Sequence, residues 1–230
     1  MSIQLRIFSM ISIILLLLTC CSRGTSEDQD IFLDGRVDEV QNSVFVIEAL
    51  TCGKNSFGTG VLVQEGVLTN AHVVAGSESL SIIDSNGSEF SSFVIAIDFK
   101  TDLALLDSSK ITQKPLQTSK PGVGIDVALM VGSENEIQVI PSQIKRLINI
   151  SMADIYGEGE FVRSGMELAA SVAPGDSGGP IVNTDGEVIG LVFSRSINNE
   201  GISYGISSKE FIKVTSELTK TGIETGDCRN

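Results

Sequence analysis

Three short stretches hold side chains whose types suit nucleophilic chemistry. Gly175-Asp176-Ser177-Gly178-Gly179-Pro180 places a serine between glycines. A nucleophilic hydroxyl must project from a tight turn, with backbone amides aimed where an oxyanion would form. Glycine permits such backbone because it lacks a Cβ. Taken alone, the hexapeptide also reads as an ordinary surface turn, since Gly, Asp, Ser and Pro are common turn residues. A serine needs a base, and the chain has 1 histidine, His72. Any imidazole chemistry must use it, and a metal site built from several histidines is excluded. His72 lies in Thr69-Asn70-Ala71-His72-Val73-Val74, behind the apolar runs Gly60–Val63 and Gly66–Leu68. A carboxylate would complete the set by fixing the imidazole tautomer. Asp102, which opens Asp102-Leu103-Ala104-Leu105-Leu106, is the candidate, and Asp98 is its rival four positions earlier.

These residues must be carried by strands. The chain has 230 residues, with 23 Gly and only 5 Pro, which suits many short strands and tight turns. There is no Trp and aromatics are 5%, so the core must be aliphatic. Val44–Leu50, Phe57–Val63, Gly66–Thr69, Leu80–Asp84, Phe93–Asp98 and Leu103–Leu106 read as about six strands, with a turn signal at Asn86-Gly87. After a polar stretch with Pro115 and Pro121, strands recur at Asp126–Gly132, a hairpin pair at Glu136–Pro141 and Gln143–Ile150, and then Phe161–Arg163, Met166–Ala170, Glu187–Phe193 and Ile202–Ile206. Ser207-Ser208-Lys209-Glu210 opens a helix, with a serine cap and an acid in its first turn. Phe211, Val214 and Leu218 would be its core face.

The motifs Thr69–Val74, Asp102–Leu106 and Pro174–Pro180 resemble the three signature segments of chymotrypsin-like serine proteases. They are most similar to the bacterial trypsin-like branch near the Deg/HtrA proteases. Phe57-Gly58-Thr59-Gly60 and Gly186–Val192 fit the same pattern, and the order His, Asp, Ser is that of the chymotrypsin fold. The resemblance covers roughly residues 40 to 215 and leaves no room for a PDZ domain.

It implies an all-β fold of two six-stranded antiparallel barrels with a C-terminal α-helix. The expected layout is a leader at 1–21, a flexible tether at 22–39 and a first barrel at 40–112. A linker at 113–122, a second barrel at 123–207 and a helix and tail at 208–230 follow. It also implies a serine endopeptidase acting on protein or peptide through Ser177, His72 and Asp102. The amides of Gly175 and Ser177 would form the oxyanion hole. The primary pocket would lie between Ala169–Gly175 and Leu191–Arg195, lined by Ser171, Phe193, Ser194 and Tyr204. Ser171 stands where trypsins carry an acid, so small or medium apolar residues fit better than Arg or Lys. Asp176 would pair with a freed N-terminal ammonium, as in activated trypsins, or with local amides or a cation such as Arg163. Arg36-Val37 is a possible, poorly matching activation site. Two other readings keep the same fold: a catalytically silent binding module and a serine esterase. No cofactor and no metal is implied.

Ile7–Leu18 is an apolar run of about twelve residues, shorter than the roughly twenty that span a bilayer. It reads as an export signal. Thr19-Cys20-Cys21 is similar to a lipoprotein acylation site, making Cys20 and Cys21 lipidation candidates beside an ordinary cleaved signal or an uncleaved anchor. In each case the folded part lies outside the cytoplasm, so membrane contact is through the leader or a lipid. Cys52 and Cys228 are then a candidate disulfide, or two independent thiols. In the resembling fold the C-terminal helix packs on the first barrel, which would bring them together. The net charge of −13 argues against nucleic acid, whose phosphates need basic patches.

Overall fold

The structure is a computed structural model that describes residues 33, 35–133, 136–216 and 218–229. The expected leader, with Cys20 and Cys21, lies outside the described residues. None of the described helices is long and apolar enough to cross a membrane.

Two β-sheet units carry the chain. The first contains β1 (Val44–Thr51), β2 (Lys54–Val63), β3 (Gly66–Thr69), β4 (Ser77–Ile83), β5 (Glu89–Ser91), β6 (Val94–Asp98) and β7 (Leu103–Leu106). Their order is β5-β4-β1-β2-β3-β7-β6. The short β5 makes seven strands, one more than the roughly six expected. The second unit contains β8 (Asp126–Ser133), β9 (Glu136–Met152), β10 (Phe161–Leu168), β11 (Pro180–Val182), β12 (Val188–Arg195) and β13 (Ser203–Ser207). It closes into a barrel in the order β10-β13-β12-β11-β8-β9.

Strand alternation explains how the two units share one interface. Along β1, Phe45, Ile47 and Ala49 point into the first unit, while Val44 and Val46 join a cluster between the units. Along β8, Val127, Leu129 and Val131 fill the second barrel, while Ala128 and Met130 face that same cluster. A strand buried on both faces needs the near-continuous apolar runs seen in the sequence.

Several boundaries differ from expectation. The hairpin pair expected over 136–150 is one continuous strand. β9 pairs with β8 up to Gln143 and with β10 from Ile144 onward, so the chain changes partner without turning. The tether expected to reach residue 39 instead ends in an ordered stretch. Leu33 is fully buried, and α1 (Val37–Gln41) buries Val37 and Val40 in the cluster between the units. Apolar residues at i and i+3 give this short helix a face to bury. Arg36 donates to the carbonyls of Asp185 and Thr184, at 2.8 and 3.1 Å, so the bond considered for activation cleavage sits in a docked segment.

The linker is also bonded to both units: Leu116 N donates to Leu62 O and Val188 N to Gln117 O. The C-terminal helix is short. A 3-10 turn at Ser208–Glu210, capped by Ser207 Oγ accepting from Lys209 N, leads into α3 (Ile212–Thr215). Phe211 and Val214 are buried as expected, but Leu218 is exposed because the helix ends before reaching it. The following residues run against the first unit, with Thr219 N on Ile95 O, Ile223 N on Val94 O and Gly76 N on Thr225 O. This places Cys228 beside Cys52. The two form a disulfide with Cα atoms 5.8 Å apart.

Candidate active site

His72 sits on α2 (Ala71–Val74), a single helical turn between β3 and β4. Ala71, Val73 and Val74 are buried in the first unit's core, which leaves His72 as the member of the turn that reaches the surface. Its side chain is 21% exposed. Asn70, fully buried before the turn, donates from Nδ2 to the Asp102 carbonyl at 2.9 Å.

Asp102 lies in the β6–β7 turn. Both its oxygens accept from His72: Oδ1 from the backbone amide at 2.9 Å and Oδ2 from Nδ1 at 2.7 Å. An ionised carboxylate only accepts, so Nδ1 carries the ring proton and Nε2 keeps a free lone pair. Asp102 has φ +61°, uncommon for a residue with a Cβ. Its three bonds to His72 and Asn70 hold that conformation, a form of strain found at sites where geometry matters more than local comfort. Asp98, the rival, is occupied otherwise: it accepts from Lys100 N at 3.1 Å and from Thr101 Oγ1 at 2.7 Å, closing the turn that presents Asp102.

Ser177 is presented by two consecutive turns. Asp176 N donates to Ala173 O at 3.1 Å across Pro174-Gly175, and Gly179 N donates to Asp176 O at 3.0 Å across Ser177-Gly178. Each turn needs positive φ at its third position, and Gly175 and Gly178 supply +101° and +86°. At Gly178 there is also no room, since a Cβ would lie 2.1 Å from the Thr59 carbonyl oxygen. Among the described residues the amides of Gly175 and Ser177 have no acceptor, so both are available to a ligand oxygen. Asp176 is 7% exposed and accepts from Ala173 N at 2.7 Å. Of the partners considered from sequence, it takes a local amide. Burial pushes its carboxyl above the ordinary aspartate range, and the Ala173 bond offsets this in part.

Thr59 was missed at the sequence level, although its motif was noted. Its amide donates to Ser177 O at 2.8 Å. Its hydroxyl donates to Gly175 O at 3.0 Å and accepts from Gly132 N at 2.7 Å. Its carbonyl accepts from Thr69 Oγ1 at 2.7 Å. One fully buried threonine of β2 thus binds the serine loop to the unit that carries His72. A threonine among glycines is an ordinary strand residue, and nothing local marks it.

The four residues expected to line a pocket fall in different settings. Ser171 is exposed, and its hydroxyl donates to the Glu200 carbonyl. Ser194 and Tyr204 are cross-strand partners beside an irregularity in the β12–β13 pairing that skips Phe193. Phe193 is buried in the cluster between the units, and Tyr204 packs against that cluster.

Two units with a histidine–aspartate pair on one and a serine in a glycine turn on the other define a class, the serine peptidases of two-barrel type. The sequence profile described as the trypsin-like peptidase domain matches residues 58–191. The chain belongs to this family. It is 32% identical over 204 residues to the serine protease Rv3671c of Mycobacterium tuberculosis strain H37Rv, covering 84% of this chain and 50% of that protein. It is 31% identical over 178 residues to a probable periplasmic serine endoprotease, DegP-like, of Halomonas elongata, covering 74% and 36%. The chain therefore spans half or less of these curated relatives. Among solved structures, the active form of the M. tuberculosis Rv3671c protease superposes with a TM-score of 0.82 at 28% identity, covering 94% of this chain and all of that one.

Proposed function

We propose that this protein is an exported serine endopeptidase. Ser177 Oγ attacks the carbonyl carbon of a peptide bond while its proton passes to His72 Nε2. The tetrahedral intermediate places its oxyanion on the amides of Gly175 and Ser177. His72 returns the proton to the leaving amine, leaving an acyl group on Ser177, and water then repeats the sequence to release the acid. Asp102 accepts from Nδ1, holding the ring's tautomer and offsetting the imidazolium charge. The observation that carries this reading is the pair of hydrogen bonds from His72 to Asp102, which orients the ring and leaves Nε2 as its free base.

Export is supported by the apolar leader and by the Cys52–Cys228 disulfide, which suits an oxidising compartment. The deciding experiment is labelling of residues 22–230 by a fluorophosphonate, with Ser177→Ala and His72→Ala beside the wild type. Labelling lost in both variants, together with hydrolysis of peptides as well as esters, is the expected result. Turnover of esters alone would make the protein an esterase. A folded protein that is never labelled would leave the silent binding module.

A further inference from the structure

Arg163 is the odd residue of β10. Met166 and Leu168 of this strand point into the second barrel's core, so by alternation Arg163 stands on the outer face. It is nevertheless only 2% exposed. Its Nη2 donates to the Ala153 carbonyl at 3.0 Å, and its buried Nε has no partner. Among the described residues no carboxylate lies within ion-pair distance of it.

The 153–156 segment to which Arg163 bonds packs on the turn carrying Asp98 and Asp102: Ile155 N donates to Phe99 O at 3.3 Å, and the Phe99 and Tyr156 rings lie 5.3 Å apart. Burial lowers its guanidinium below the ordinary arginine range, and the charges of Asp102, Asp98, Glu210 and Asp154 offset this in part. These acids are already engaged. Asp102 is held by His72, and Asp98 by Lys100 N and Thr101 Oγ1. Glu210 accepts from Ser164 N, and Asp154 from the amides of Tyr156 and Glu158. A buried cation with four carboxylates near and none in contact acts by its field. Burying such a charge is costly, and an apolar side chain would fill the same space without that cost.

We propose that Arg163 is a positioning residue for the Asp102–His72 pair. Its guanidinium, enclosed between the two units, biases that pair toward carboxylate and neutral imidazole and so sets the acidic end of the range in which His72 can act as a base. This rests on the roles of His72 and Asp102 given above. A positive charge beyond Asp102 opposes a second one forming on the imidazole. Two further cations border the pair and remain in place in any Arg163 variant. Arg229 donates from Nη1 to the His72 carbonyl at 3.3 Å, and Lys100 lies 5.3 Å from the centre of the Phe161 ring on Arg163's own face of β10.

The test compares wild type, Arg163→Lys and Arg163→Met by the pH dependence of fluorophosphonate labelling rate. In Arg163→Met the acidic limb should move up by roughly half a pH unit or more, while Arg163→Lys stays near wild type. Coincident limbs, a downward move, or a lysine variant that behaves like the methionine variant overturns the proposal. Should Arg163→Met fail to fold, Arg163→Gln, which keeps a donor for the Ala153 carbonyl, is read the same way. If even wild type is never labelled, the function reading has failed separately. The limb is then read from the ring-proton NMR signal of His72, unambiguous because the chain has 1 histidine.

Discussion

Thr59 and Ser177 are joined across the two units by a backbone hydrogen bond of 2.8 Å, from the threonine amide to the serine carbonyl. The same threonine's hydroxyl is spent fully, donating to Gly175 O and accepting from Gly132 N. The loop with the nucleophile is therefore located by the unit with the base. Thr59→Val keeps the shape and the amide but leaves a buried amide and a carbonyl unpaired. It should cost about 1–3 kcal/mol of stability. It should also lower kcat for peptide hydrolysis several-fold with little change in KM, because what loosens is the serine loop. Equal effects on kcat and KM, or none, would argue against this role.

Asp102→Asn tests the carboxylate with the least change of shape. An amide nitrogen facing His72 Nδ1 favours the wrong tautomer, and loss of about 10⁴ in kcat is the usual scale for this substitution in a Ser-His-Asp set. Asp98→Asn, in the same turn, should lose far less, because Asp98 bonds only to Lys100 N and Thr101 Oγ1. Steady-state kinetics on one peptide separates the two.

Asp176 gives a pH signature in stability. Burial raises its carboxyl above the ordinary aspartate range, so folding favours the protonated form. Its contribution is full below the ordinary aspartate value and is lost as pH rises through the raised one. Asp176→Asn keeps an oxygen for Ala173 N and does not titrate. The variant's urea midpoint relative to wild type should therefore climb as pH rises above the ordinary aspartate value, about 4, and level off once the raised value is passed. A difference that stays flat, or falls, would remove burial of the charge as the dominant cost.

The Cys52–Cys228 bond closes a loop with a sequence separation of 176. The paired change Cys52→Ser with Cys228→Ser should lower stability by about 2–4 kcal/mol. In a chain of this size that is a fall of roughly 5–15 °C in Tm, measurable by calorimetry. An unchanged Tm would mean that the hydrogen bonds of residues 219–225 hold the tail without it.

The motifs that carry chemistry were legible because their residue types are constrained locally. A serine in a double turn needs glycines at fixed offsets, and a lone histidine admits no competitor. Asp102 and Asp98 were not separable in this way. They share a turn, and the positive φ at Asp102 that turns one of them toward His72 leaves no mark on residue type. Thr59 was hidden for a related reason: its four bonds run to Thr69, Gly132, Gly175 and Ser177, distant partners that only the packing of two units brings near. Arg163 was noticed only as a candidate partner for Asp176. In the fold strand parity points it out of its own barrel, and its guanidinium bonds to the Ala153 carbonyl. The alternation of apolar residues foretold strands, but not that β9 would pass straight from one partner to the next.

Residues 219–228 bond to Ile95, Val94, Gly76 and Cys52, all in the unit that carries His72. These residues follow the whole second barrel in the sequence. During synthesis the unit made first must therefore wait until the second barrel has also been made before its own packing is complete.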